Sequence, residues 1–177
     1  MSTQRLQPQL TEIDRIEIRL AALNDCAPET AHLQFRRCCG SSRWIELMTT
    51  ARPFLNVHQL EAAADRMWES CAHADWLEAF KAHPRIGEQA STRWSRQEQS
   101  GIAGASTRLL DSFATANQDY ETKFGYTFIV CAAGKSAPEI LAALHQRLRN
   151  DPALEIVTSA EQQRLITRLR LRRLLSE

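Results

Sequence analysis

The chain has 177 residues, with 22 Lys plus Arg against 21 Asp plus Glu and a formal charge of +1. That length suits one domain over 1–177, and an apolar fraction of 44% supports a packed core, which excludes wholesale disorder. Near-neutrality argues against a general nucleic-acid or membrane-surface binder, and the sequence holds no run of ~18 apolar residues that could span a bilayer.

The first nine residues, Met1 to Gln9, are polar and lack the apolar centre of a signal peptide. The final Leu-Leu-Ser-Glu is not a peroxisomal address, so a cytoplasmic protein is expected. Five cysteines, Cys26, Cys38, Cys39, Cys71 and Cys131, form no C-x-x-C spacing, which argues against a zinc or disulfide scaffold.

Helical periodicity dominates. Residues 10 to 23 carry Leu10, Ile13, Ile16, Leu20 and Leu23 as one stripe. Glu29 to Cys38 predicts a second helix with Leu33 and Phe35 inward. Trp44, Leu47 and Met48 open a short third, ended by Pro53. From Val57, the residues Leu60, Ala64, Met67, Trp68 and Cys71 predict a longer helix. Asp75 to Ala82 predicts another, until Pro84 disfavours helical geometry at His83. Arg85 to Trp94 is a predicted loop.

Ser95-Arg96-Gln97-Glu98 has the capping-box pattern, which predicts a helix from Ser95 to about Lys123 with Ile102, Leu109, Leu110, Phe113 and Tyr120 inward. Ser136-Ala137-Pro138-Glu139 repeats the pattern before Ile140, Leu141, Leu144 and Leu148. Asp151 can cap a last helix with Pro152 in its first turn, its stripe including Leu154, Val157, Leu165 and Leu169. Strand-like alternation is nearly absent, so the fold class expected is all-α, a single compact multi-helix bundle.

Chemistry concentrates around His83. Pro84 and Gly87 fix the backbone just after a helix end, where an imidazole can stand at a pocket wall and act as acid or base. The same residue could simply complete a helix C-terminus. Glu98 is explained by the capping box alone, yet it also follows the His83 loop closely enough to meet the imidazole across a cleft. Gly101 and Gly104 are costly in a helix, at about 1 kcal/mol each against Ala, and suggest close approach of a backbone or ligand.

The apolar run Phe124 to Ala132 is either a buried crossover or a segment whose backbone groups face a ligand. The Arg-rich last helix is either a solvated face, a nucleic-acid contact without interleaved aromatics, or the source of one inward Arg fork for a carboxylate. Arg170, between Leu169 and Leu171, is the best placed for the last role. No nucleotide fingerprint, G-x-S-x-G elbow or H-E-x-x-H is present.

Six motifs in order extend this reading: Ser42-Arg43-Trp44, Ala51-Arg52-Pro53-Phe54, Ala82-His83-Pro84-Arg85-Ile86-Gly87, Ser95-x-x-Glu98-Gln99-Ser100, Phe124-Gly125-Tyr126-x-Phe128-Ile129-Val130-Cys131-Ala132, and Arg168-Leu169-Arg170-Leu171. Together they closely resemble the 2-oxo-4-hydroxy-4-carboxy-5-ureidoimidazoline (OHCU) decarboxylases, across about residues 10 to 175. The match looks bacterial in type, because Arg85-Ile86-Gly87 stands where many members have Asp-Leu-Ala-Gly.

The resemblance implies an all-helical, cofactor-free and usually dimeric enzyme, with no metal. It would decarboxylate OHCU to (S)-allantoin, the last step from urate. It implies His83 and Glu98 as catalytic residues. It implies Pro84, Ser95, Gln97, Gln99, Phe128, Ile129, Val130, Cys131, Ala132 and Arg170 as substrate contacts, with Arg168 as the rival for Arg170. It implies a homodimer with no nucleic-acid or membrane partner. The alternative is an inactive or altered-substrate relative serving as a helical binding module.

Overall fold

The computed structural model describes residues 11–87, 93–102 and 104–177. Its described helices are α1 (Glu12–Asp25), α2 (Pro28–Cys38), α3 (Ser42–Thr50), α4 (Val57–Glu69), α5 (His73–Lys81), α6 (Arg93–Glu98), a 3-10 turn (Ser100–Ile102), α7 (Thr107–Phe124), α8 (Ala137–Arg147) and α9 (Pro152–Ser176). No strand occurs among the described residues, so the chain is all-α. The expected polar start, Met1 to Gln9, Leu10, and the centre of the Arg85–Trp94 loop lie outside the described residues.

Several helix ends follow their sequence signals. The Thr11 hydroxyl accepts from Asp14 N at 3.2 Å and starts α1. Ser136 N donates to Glu139 Oε2 at 2.7 Å at the start of α8. Asp151 Oδ1 accepts from Ala153 N and Leu154 N, both at 3.0 Å, with Pro152 in the first turn of α9. Gly125 ends α7 at φ 79°, a left-handed conformation that glycine adopts without a Cβ penalty.

The predicted helix from Ser95 to Lys123 is broken. Ser95 is not a cap: it lies inside α6 and is buried. The cap is Ser106, whose hydroxyl accepts from Leu109 N at 3.3 Å. Gly104, at φ +83°, supplies the left-handed turn between them. Gly101 stands against another backbone, since a Cβ there would lie 2.0 Å from Lys135 O.

Burial corrects several apolar assignments, Leu110 on α7 among them at 38% exposed. Leu33 is 62% exposed while Phe35 is fully buried, because helical positions two apart point to nearly opposite sides. Ile13 is 69% exposed, on the rim of an apolar surface groove with Ile16, Leu20 and Phe54. On α9, Leu154, Val157 and Leu165 face outward.

The buried stripe of α9 is instead partly polar: Glu155, Ser159, Gln163, Thr167 and Arg170, spaced four, four, four and three apart. This inversion places the long helix at the centre of the fold, in contact with α1, α2, α4 and α5. Two apolar clusters result. One gathers α1 to α5 with α9, and the other gathers α7, α8 and the extended residues 128–132. Ile129 belongs to the first cluster and Phe128, Val130 and Ala132 to the second, so this segment is the seam between them.

The motifs at 42–44 and 51–54 are scaffold. Trp44 Nε1 donates to Ala64 O at 3.0 Å. Arg52 Nη1 donates to the carbonyls of Leu23 at 2.7 Å and Cys26 at 2.9 Å, placing a cation at the C-terminus of α1. Asn24 and Phe54 exchange two hydrogen bonds of 2.9 Å, which ties the following turn to the same helix end.

Candidate active site

The seam opens into one cavity. His83, Pro84 and Ile86 form the side after α5; Ser95, Glu98 and Gln99 come from α6 and its end; Phe128, Ile129, Val130 and Ala132 form the extended wall; Ile166 comes from α9. The cavity measures about 20 Å³, room for about one water. Four segments of the chain therefore meet, and nine of the twelve expected site residues line one space.

The other three are placed differently. Gln97 is on the exposed side of α6, opposite the buried Ser95 and Glu98. Cys131 is half-buried and contributes no wall; its N–H donates to Gln162 Oε1 at 3.0 Å, which pins the segment to α9. Arg170 lies behind the cavity wall. Its Nε donates to Glu98 Oε1 at 2.9 Å and its Nη2 to Oε2 at 2.8 Å.

This bidentate fork matches a planar cation to a planar carboxylate and fixes the orientation of Glu98. Arg173 Nη1 adds a bond to Oε1 at 3.2 Å. Arg168 turns the other way and binds Asp65 at 2.7 Å, a carboxylate it shares with Arg164 at 2.9 Å. Arg172 binds Glu61 at 2.5 Å. The Arg-rich face of α9 is thus committed to internal ion pairs with α4 and α6 as well as to solvent.

His83 Nε2 lies 2.7 Å from Gln163 Oε1, and the Gln163 amide donates in turn to Thr167 Oγ1 at 3.1 Å. His83 is half-buried as a residue, but protein packed around its ring pushes the imidazole well down, to about 3. The charge of Arg170 acts in the same direction, and the Gln163 bond opposes both. The ring is therefore neutral near pH 7, with one nitrogen donating and one carrying a lone pair.

Two further contacts shape the site. Gln99 Oε1 accepts from Gly87 N at 3.1 Å, and its amide donates to Arg85 O at 3.4 Å, so Gln99 braces the loop after His83. Behind the extended wall, Arg147 Nη1 donates to Ile129 O at 2.6 Å, while Arg147 Nη2 pairs with the fully buried Glu155 at 2.5 Å. Tyr120 donates to the same carboxylate and Asn150 Nδ2 reaches it at 2.6 Å. A buried charge satisfied by several donors holds the wall rigid.

Sequence reasoning missed Gln163, Ile86, Ile166 and Arg173. Gln163 and Thr167 lie seven and three residues before Arg170, on one helix face, so choosing Arg170 already marked them. Nothing in the sequence showed which end of α5 would meet that face. Among the described residues no cluster of His, Cys, Asp and Glu is arranged to hold a metal. Among them, too, no helix is long and apolar enough to cross a membrane.

Comparison with known proteins places the chain in a family. The profile of the OHCU decarboxylase family matches residues 24–172. The uric acid degradation bifunctional protein TTL of Arabidopsis thaliana is 37% identical over 159 residues, covering 85% of this chain and 49% of its own length. The chain thus spans about half of that relative. The 2-oxo-4-hydroxy-4-carboxy-5-ureidoimidazoline decarboxylase of Amia calva is 34% identical over 132 residues, covering 69% of this chain and 74% of its own.

A crystal structure of an OHCU decarboxylase in the presence of (S)-allantoin superposes with a TM-score of 0.75 at 35% identity, covering 86% of this chain and all of that one. With the family profile, these relatives and the helical fold in agreement, the chain belongs to the OHCU decarboxylase family.

Proposed function

We propose that the chain is a carboxy-lyase that converts OHCU to (S)-allantoin and CO2 without a cofactor. The observation that carries this is the convergence of His83, the Arg170-held Glu98 and the 128–132 backbone on one cavity.

In the proposed reaction, one ring carbon of the substrate bears both a hydroxyl and a carboxylate, beside a C=N bond. The bond to the carboxylate breaks and CO2 leaves. Its electron pair forms a C=C bond to the neighbouring carbon while the C=N pair moves to nitrogen, which takes a proton, leaving a ring enol. The hydroxyl proton then departs as the carbonyl forms, and the adjacent carbon takes a proton on one face. One proton is consumed overall, and the ring itself accepts the electrons.

The residues divide this work. Neutral His83 takes the hydroxyl proton through its lone pair, which requires an imidazole that is uncharged at pH 7. Glu98, oriented by Arg170 and Arg173, grips the same side of the substrate. Once the cavity of about 20 Å³ has widened to admit the substrate, Pro84, Ser95, Gln99 and the 128–132 wall fix the ring so that the carboxylate stands out of its plane. Fixed donors aimed at developing charge supply much of the acceleration. We assign the enzyme to the cytoplasm, as a single-domain homodimer without nucleic-acid or membrane partners; the family resemblance supports this.

The test generates OHCU in place by oxidising urate and hydrolysing the product, then adds the protein and follows circular dichroism. Rapid appearance of the (S)-allantoin signal, abolished by His83→Ala with the helical spectrum unchanged, is expected. Slow racemic allantoin with the wild-type protein would overturn the activity and favour a binding role for the fold.

A further inference from the structure

Gln163 has no part in the chemistry above, yet it is fully buried and both ends of its amide are engaged. Its position is unusual for its type, because an amide shut away from water must be satisfied by protein. Of its two contacts, one is the imidazole of His83 and the other the hydroxyl of Thr167, one turn along α9. We propose that Gln163 is a positioning residue: its carbonyl oxygen accepts from His83 Nε2–H and so leaves Nδ1 as the lone-pair nitrogen offered to the substrate hydroxyl.

The order of the chain of bonds follows from its far end. The Gln163 amide nitrogen donates to Thr167 Oγ1, which leaves Oε1 as the atom facing the imidazole. An amide oxygen only accepts, so the facing ring nitrogen must carry the hydrogen. Nδ1 has no hydrogen-bond partner among the described residues, and His83 lines the cavity. Burial of the ring, and after it the guanidinium of Arg170, disfavour a second proton on the ring, so the free nitrogen keeps its lone pair.

A histidine in the wrong tautomer presents N–H where an acceptor is required, and loss of an orienting partner can cost orders of magnitude in turnover. The role rests on the assignment of His83 as the proton acceptor under Proposed function. Gln163 itself touches no wall of the cavity.

The test uses full-length protein and two readouts. Nitrogen-15 spectra of the His83 ring, assigned by difference with His83→Asn, report the tautomer whether or not the protein is active. In the wild type a single Nε2–H tautomer is expected. In Gln163→Met, which keeps the volume without the acceptor, both tautomers are expected. Its kcat should fall on the order of 100-fold with KM changed by less than about threefold. Gln163→Glu keeps an acceptor and should recover kcat to within about tenfold of wild type.

Should Gln163→Met not fold, Thr167→Val frees the far end of the amide, and a mixed tautomer with a smaller loss of kcat is expected. A single Nε2–H tautomer in Gln163→Met or Thr167→Val would overturn the proposal, as would unchanged kcat in either. Wild-type activity in His83→Ala would instead overturn the assignment of His83, and the tautomer spectra separate the two failures.

Discussion

Arg170 holds Glu98 by a two-point fork, Nε to Oε1 at 2.9 Å and Nη2 to Oε2 at 2.8 Å, with both residues buried. One residue is on α9 and the other on α6, separated by 72 positions in sequence. The pair therefore both fixes a carboxylate at the cavity and ties the short helix α6 to the centre of the fold. Trp94, on the same helix, adds a second tie through its Nε1 bond to Glu177 Oε1 at 2.8 Å.

From this geometry, Arg170→Lys keeps the charge but loses the planar fork, and kcat/KM is expected to fall by about 100-fold or more. Arg170→Met leaves a buried carboxylate with Arg173 alone, and destabilisation of about 3 kcal/mol is expected, towards the low end for breaking a buried pair. Arg168→Met should stay near wild-type activity, because Arg168 serves Asp65 on another face. Steady-state kinetics and urea unfolding of the three variants check this. Equal losses at 168 and 170 would remove the special place given to Arg170.

Burial of His83 gives a pH dependence whose sign is fixed. The folded ring protonates near 3, against an ordinary value of 6.5, so between those limits the unfolded chain binds more protons than the folded one. Stability from this group is therefore fully present above about pH 6.5, declines as pH falls, and is lost by about pH 3. For activity, the neutral imidazole persists through pH 6, so kcat/KM should show no inflection near 6.5. Rates from pH 5 to 8, with urea midpoints over the same range, test both statements. An acid limb centred at 6.5 and absent in a stable His83 variant would show that the ring titrates normally.

The all-α class and most helix ends were legible because caps, prolines and glycines act over three or four residues. Asp151-Pro152 and Ser136 with Glu139 are examples. The break between Ser95 and Lys123 was half-legible. The two glycines were recognisably out of place, but the capping pattern at Ser95 competed with the working cap at Ser106. Least legible was α9. Its apolar residues Leu154, Val157 and Leu165 suggested the inner face, whereas the inner face is polar because Glu155, Gln163 and Arg170 find buried partners on other elements. Hydrophobic periodicity identifies an apolar core face; it has no means of foreseeing hydrogen-bond partners brought in from as far as 80 residues away.

Gly101 and Gly104 separate two reasons for glycine within four residues. At Gly101 a Cβ would meet Lys135 O at 2.0 Å, a backbone atom that cannot rotate away. At Gly104 nothing lies within 4 Å, and the requirement is only the positive φ of +83°. Gly104→Ala should therefore cost about 1 kcal/mol, the strain of a left-handed alanine. Gly101→Ala must push the 3-10 turn away from residue 135, with an expected cost of about 2–3 kcal/mol. The same shift would move α6 and its Glu98, so kcat/KM should drop at least tenfold in Gly101→Ala and stay within about threefold in Gly104→Ala. Thermal unfolding and kinetics on both variants measure this. If Gly101→Ala proved as mild as Gly104→Ala, the contact with Lys135 would not be what positions α6.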